Sequence, residues 1–351
     1  MNRLRRWIAA LIGYHRQPVY PSIYWMVGSA WLCQAVYVAA KLDVAEKLRH
    51  GPMAIAALAA ACGVREVPLL QVLRALAGFG IFTIDQADRV SLNNEGRRLL
   101  ADDRYSVRPW ALLSGEQLWP AAGQMLEQLR TGRTGFDVAH GAPVWQHYAS
   151  CPADGDVFDT FMSAATDLHV AAVTAAYPFD RHRRVVDIGA GRGSLLRAML
   201  RTGPDLRGTW YDRAEVLPSA RDQFAVAGME SRCEFVAGSF LDSVPAGADL
   251  YTIKHVLHDW PDEAAEQILR NIVAAMDGAS TLLIIEALLD ERSGVDGLVK
   301  LRDIEQMFWT GGRVRSRREF NRLLEPAGLV IEEVLPTPIV DMSVIRVRRR
   351  R

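Results

Sequence analysis

Apolar residues along this chain follow two different periods, and the change comes near residue 180. In the first part the spacing is helical. The segment AIAALAAACGV predicts a short helix closed at Gly63, a residue that takes the left-handed conformation at low steric cost. The stretch VPLLQVLRALAGFG then places Leu69, Leu70, Leu73, Leu76 and Ala77 on one helical face. IFTIDQADRVSL alternates about a polar turn at Asp85 to Asp88. Helix, turn, helix and hairpin in that order predict a winged helix between Leu42 and about Leu100.

From Ser106 to about Phe179 the pattern predicts aromatic-rich helices broken at Gly132 to Gly135 and at Gly141 to Pro143. From Arg183 onward, β-branched runs (RRVVDIG, GTWYD, CEFVAG, ADLYTI, TLLIIEALL) alternate with helical segments. That alternation is the pattern of a doubly wound parallel sheet. The expected architecture is α/β: an all-α/winged-helix domain over 1–105, a helical linker over 106–180, and a Rossmann-like domain over 181–351. The terminal RVRRRR predicts a frayed, solvated end.

Composition narrows the function. A chain of 351 residues predicts two domains, and 41 basic against 41 acidic residues leave no net field to attract nucleic acid or anionic lipid. Where a recognition helix would lie, only Arg65 and Arg74 are cationic, with Glu66 beside them. Too few phosphate contacts are available, which favours a dimerisation module over a DNA reader. Cys33, Cys62, Cys151 and Cys233 form no Cys-x-x-Cys pair, so neither a zinc site nor a redox motif is expected, and the setting is reducing. The basic, apolar N-terminus mimics a signal peptide but is interrupted at Gly13, Tyr14 and His15 with no cleavage site. No apolar run reaches the roughly twenty residues a bilayer requires. A cytoplasmic protein with no membrane partner is expected. The stretch Trp25 to Ala40, too apolar to face water, predicts a homodimer.

The most informative string is VVDIGAGRGS. A strand runs into Gly189, Gly191 and Gly193 and then a helix, so backbone can approach a ligand at a helix N-terminus. Ser194 stands where a dinucleotide fingerprint needs glycine, and there is no Gly-Lys-Ser/Thr, which leaves a nucleoside ligand without a pyrophosphate. Asp212, ending the next strand, suits the two hydroxyls of a ribose, the alternative being a turn or cap residue. Asp187 is expected to hold the glycine turn or a ligand amino group. The string IKHVLHDWPDEAAEQIL puts Lys254, His255, His258 and Asp259 at the carboxyl mouth of the sheet, with His258 the favoured general base. Trp145, Tyr148, Phe158, Phe161, Phe308 and Trp309 are candidates to wall a flat apolar pocket.

GAGRG, Asp212, KHVLHDWPDE, IIEALL and TGGRVRSRREFNRLLEPAGL resemble the plant caffeate and bacterial natural-product O-methyltransferase family. The winged-helix segment and RPWALLSGEQLWPA resemble it too, so the likeness covers nearly the whole chain. The resemblance implies methyl transfer from S-adenosylmethionine, leaving S-adenosylhomocysteine, to a hydroxyl of a small aromatic metabolite, with no metal, in an intertwined homodimer. It implies His258 as base, Glu286 as the acid that orients it, Lys254 and the Ser239–Phe240 segment at the cofactor, and Met162 with Asp259 at the acceptor pocket. Two positions depart from the family pattern. Ser239 replaces an aspartate near the adenine, and Val314 replaces a second glutamate beside the histidine. Those departures keep a repurposed chemistry (decarboxylation, hydroxylation or cyclisation) as the alternative, with a DNA-binding regulator as a third reading.

Overall fold

The computed structural model describes residues 22–292, 297–339 and 341–350; the signal-like N-terminus and the last arginine, Arg351, lie outside them. The chain forms two compact units that divide between Trp119 and Pro120.

The first unit carries the expected winged helix. Helices Ile55–Cys62 and Glu66–Gly78 are separated by Gly63 at φ 67°, and strands β1 (Met53–Ala54), β2 (Phe82–Ile84) and β3 (Arg89–Leu92) pair in the order β1-β3-β2. Leu58, Leu69, Leu73, Leu76, Phe82 and Val90 are buried together, which is the helical stripe read from the sequence. Arg74, the one cation within the second helix, is paired with Asp88 at 3.0 Å. No single described helix is long and apolar enough to cross a membrane. The two helices pass that test together by composition, but they are bent by 108° and spend their apolar face on this core. Helix Ser22–Lys41 exposes Met26 (71%), Val27 (67%) and Trp31 (70%); the side chain of Trp25 lies outside the described set.

The second unit is built on seven strands: β4 (Arg184–Ile188), β5 (Arg207–Asp212), β6 (Cys233–Ala237), β7 (Leu250–Lys254), β8 (Thr281–Glu286), β9 (Leu329–Pro336) and β10 (Ser343–Arg349). Their order is β6-β5-β4-β7-β8-β10-β9; β4 to β8 run parallel, and β10 is antiparallel to β8 and β9. Alternate residues of each inner strand enter opposite cores. Val186 and Tyr251 pack with Ile268 and Phe320 on one face, Val185 and Leu250 with Leu196 and Phe224 on the other. Strand order reverses at β4, so a crevice opens at the carboxyl ends of β4, β5 and β7.

Over its described residues, Arg346 to Arg350, the basic run is not frayed. Val344, Ile345 and Val347 are fully buried in β10, Arg346 pairs with Glu332 (3.2 Å) and Glu333 (3.1 Å), and Arg349 donates to the Met276 carbonyl at 2.8 Å. Long arginine stems cover apolar surface while their heads find partners, which hides strand alternation in a run of like charge.

Candidate active site

At the end of β4 the chain turns through Gly189 (φ 69°), Gly191 (φ 54°) and Gly193 (φ 77°) before helix Ser194–Thr202. Gly191 is fixed from both sides: its N–H donates to Asp212 Oδ2 at 2.7 Å and its carbonyl accepts from the Trp210 indole at 2.6 Å. A Cβ at Gly191 would meet nothing within 4 Å, so the turn leaves an open cradle. Asp212 therefore has two uses. It holds the turn and the Arg213 N–H (2.7 Å), and each carboxylate oxygen keeps a lone pair for a ligand hydroxyl. Of the two roles expected of Asp187, the turn is not the one it takes: its carboxyl accepts from the Thr252 hydroxyl at 2.7 Å, and the residue lines the cavity, where the ligand-facing role stays open to it.

One cavity joins this cradle to an aromatic wall. Asp187, Gly189, Gly191, Asp212, Ser239, Phe240 and Lys254 line it together with Trp145, Phe158, Met162, Asp259 and Trp260, the Trp260 ring lying 5.9 Å from Phe240. Trp145 and Trp260 lie with ring planes 22° apart at 6.4 Å, and Phe158 meets Trp145 edge-on at 5.5 Å. This geometry accepts a flat apolar ring. Tyr148, Phe161, Phe308 and Trp309 do not belong to the wall. Trp309 lies behind Phe158 (5.7 Å between rings) and donates to the Tyr148 hydroxyl at 3.2 Å, while Phe308 packs against Gly135. Sequence gave no means of separating a wall from its backing, since both are aromatic at helical spacing.

His258 sits just behind the cavity surface, 3% exposed, on the loop between β7 and helix Asp262–Ala275. Its Nε2 is 3.6 Å from Asp259 Oδ1 and its Nδ1 3.9 Å from Glu286 Oε2. Glu286 binds the loop rather than the ring: its Oε1 accepts the backbone N–H of His258 at 3.2 Å. Val314, where a second acid was absent from the sequence pattern, is buried with Ala287 and Val299, so Asp259 is the second carboxylate near the imidazole.

Two residues that sequence reading passed over clamp this loop. Arg315, fully buried, donates to the carbonyls of Leu257 (2.6 Å) and Trp260 (2.8 Å) and to Asp262 Oδ1 (2.8 Å). Gly312 packs so closely that a Cβ there would fall 1.9 Å from the His258 carbonyl oxygen. His255 also lines the cavity; it holds φ 51° and its ring stacks on His258 at 5.2 Å.

Burial dominates the electrostatics. It lowers the imidazoles of His258 and His255 well below 6.5, helped at His258 by Arg302, Lys254 and Arg315, so both rings are neutral near pH 7. Burial also raises Glu286 to about 7 and Asp187 to about 7, and lowers Lys254 to about 8. Lys254 Nζ donates to Thr166 Oγ1 at 3.1 Å and lies 3.2 Å from His255 Nδ1, and all three residues line the cavity. Asp159, missed in the sequence, lines the cavity near Arg192 and Arg213 with its carboxyl raised to about 6 by burial. Arg192, from the glycine turn, donates to Thr160 at 3.0 Å and so ties that turn to helix Pro152–Ala176.

Comparison with known proteins gives one family with more than one chemistry among its relatives. Residues 123–330 match the O-methyltransferase domain and residues 26–102 the O-methyltransferase dimerisation domain. The chain is 37% identical to the mitomycin biosynthesis 6-O-methyltransferase of Streptomyces lavendulae over 91% of its length and 92% of that protein's. It superposes with a TM-score of 0.80 and 32% identity on an O-methyltransferase from neocarzinostatin biosynthesis, solved with S-adenosylmethionine and 2-hydroxy-5-methyl naphthoic acid, covering 90% of this chain and 95% of that one. An aclacinomycin 10-hydroxylase of Streptomyces purpurascens is 32% identical over 85% of this chain and 81% of its own.

Proposed function

The chain belongs to the S-adenosylmethionine-dependent O-methyltransferase family, and from that premise we propose that it methylates a phenolic hydroxyl on a small aromatic metabolite, as a cytoplasmic homodimer, with His258 as general base. The observation that carries this reading is one cavity lined by the glycine turn, Asp212 and several aromatic side chains.

The cradle fits the cofactor. Gly191, open on its cavity side, and Gly189 would let the ligand approach the backbone, Asp212 would accept the ribose hydroxyls, and Ser239, Phe240 and Lys254 line the same cavity, while Gly193 packs on Phe224 away from it. When bound, S-adenosylmethionine supplies a methyl group already activated on a cationic sulfur. The protein then has two tasks. Trp145, Phe158, Met162 and Trp260 would hold the acceptor ring and orient its oxygen toward the methyl group. His258, neutral because it is buried, takes the hydroxyl proton on Nε2. A phenol near pKa 10 is too weak an acid to ionise fully against an imidazole of about 6.5 or lower, so proton loss accompanies transfer. Glu286 acts on the base by fixing the backbone that carries it. The exposed face of helix Ser22–Lys41 supports the dimer, since an apolar patch of that kind is covered by a second chain.

The test is incubation with S-adenosylmethionine and a panel of phenols and hydroxyquinones, read by mass spectrometry. A gain of one methyl supports the reading. A second reading, hydroxylation on the same scaffold with dioxygen and a reductant supplied to the assay, is favoured by the hydroxylase relative; it is recognised by a gain of one oxygen instead.

A further inference from the structure

A histidine, a cysteine and a carboxylate meet where helix Val144–Ser150 passes into helix Pro152–Ala176, and none of the three lines the cofactor cavity. His147 lies in the last turn of the first helix, Cys151 is the single residue between the two, and Asp154 lies in the first turn of the second. One donor atom from each falls within 4.8 Å of the other two. His147 Nε2 and Asp154 Oδ2 are 2.6 Å apart. Donors about 2.0–2.3 Å from a tetrahedral zinc ion are roughly 3.3–3.8 Å from one another, so the three are brought to ligating distance by small side-chain rotations. The His147 ring is oriented by Phe136 (5.4 Å, edge-on) and His140 (5.0 Å). Cys151 is exposed, which supplies an entry path.

We propose that His147, Cys151 and Asp154 form a binding site for a divalent transition metal of the zinc class, completed by water. Thiolate and imidazole donors select zinc over magnesium or calcium, and a single carboxylate is compatible with its tetrahedral shell. As the sulfur–metal bond forms, the thiol proton passes to solvent, so the site binds more tightly as pH rises. The ion ties together the two helices that present Trp145 on one side and Phe158 and Met162 on the other. It therefore stiffens the acceptor wall and leaves the glycine cradle untouched. The site stands on geometry alone and does not depend on which reaction the cavity performs.

Cobalt(II) added to the reduced full-length protein reads the site directly, because a cysteine ligand produces a thiolate-to-cobalt charge-transfer band in the near ultraviolet. The expected result is one equivalent bound per chain, displaced by zinc, with the band absent in Cys151→Ser and in His147→Ala while the circular dichroism of both variants matches the parent. Zinc is also expected to raise the melting temperature of the parent and not that of Cys151→Ser. The proposal is overturned if no charge-transfer band forms. It is equally overturned if the band survives in Cys151→Ser, which would place the metal on Cys33, Cys62 or Cys233, or if zinc stabilises parent and variant alike.

Discussion

Gly312→Ala probes the base loop without touching a reacting group. A Cβ at this position falls 1.9 Å from the His258 carbonyl oxygen and 2.6 Å from the carbonyl carbon of Asp259, whereas real Cβ atoms essentially never approach closer than 3.0 Å. The obstacle is backbone, so no flexible side chain can swing aside. Either the His258–Asp259 peptide or the segment around Gly312 must retreat by roughly 1 Å, and the hydrogen bond from Arg313 N–H to the His258 carbonyl, now 2.8 Å, stretches with it. Overpacking of this kind costs about 1–3 kcal/mol. For a unit of this size that is roughly 2–12 °C in melting temperature. A catalytic group displaced by about 1 Å loses on the order of a hundredfold in rate. The expected outcome is turnover about a hundredfold lower, with S-adenosylhomocysteine affinity unchanged, because the cradle and Asp212 lie on other strands. Steady-state kinetics, calorimetric titration and a thermal scan measure the three quantities. An unaltered melting temperature refutes the clash. A lowered one with native turnover refutes the claim that the placement of His258 governs the rate.

His258→Ala should cut turnover by about a hundredfold to ten-thousandfold with cofactor affinity unchanged, and near-native transfer in that variant would reduce the histidine to a packing residue. Glu286→Gln should lower turnover less and also lower the melting temperature, because the carboxylate holds the loop backbone; a variant as stable as its parent counts against that role. Asp212→Ala and Gly191→Val should each weaken S-adenosylhomocysteine binding strongly in a calorimetric titration, the first by freeing both the ribose hydroxyls and the turn, the second by forcing a β-branched residue to φ 54°. Equal affinities in parent and variants would remove the cofactor assignment. Burial raises Asp187 from 3.8 to about 7, so its folded state favours the protonated acid. Its contribution to stability is full below the unfolded value and is lost as pH rises through about 7. Asp187→Asn should flatten the fall in melting temperature across that window, and an unchanged pH slope would contradict the assignment.

Local pattern carried the parts of this molecule that local physics decides. The winged helix was legible because Leu69, Leu73 and Leu76 repeat at helical spacing and Gly63 marks a stop. The parallel sheet was legible because buried strands read as apolar runs. The glycine turn, Asp212 and the His258–Asp259 pair were legible because such a fold places strand ends in one crevice. The terminal strand β10 was not, since its arginines mask the buried Val344, Ile345 and Val347. Nor was the His147–Cys151–Asp154 grouping, which a search for paired cysteines passes over.

By itself, then, the sequence determined the alternation of elements and the glycine turn, and its family resemblance pointed to a candidate base. Tertiary structure decided what surrounds that base. Arg315 reaches the carbonyls of Leu257 and Trp260 across more than fifty residues of chain, and Gly312 presses on the His258 peptide from the same distant segment. Tertiary contacts likewise gave Asp212 the glycine turn as well as its place in the cavity, and paired Asp187 with Thr252. Spacing along a chain encodes which face a residue presents, because helix and strand have fixed periods. It does not encode which remote backbone that face will meet, because that depends on how close-packed layers settle against one another.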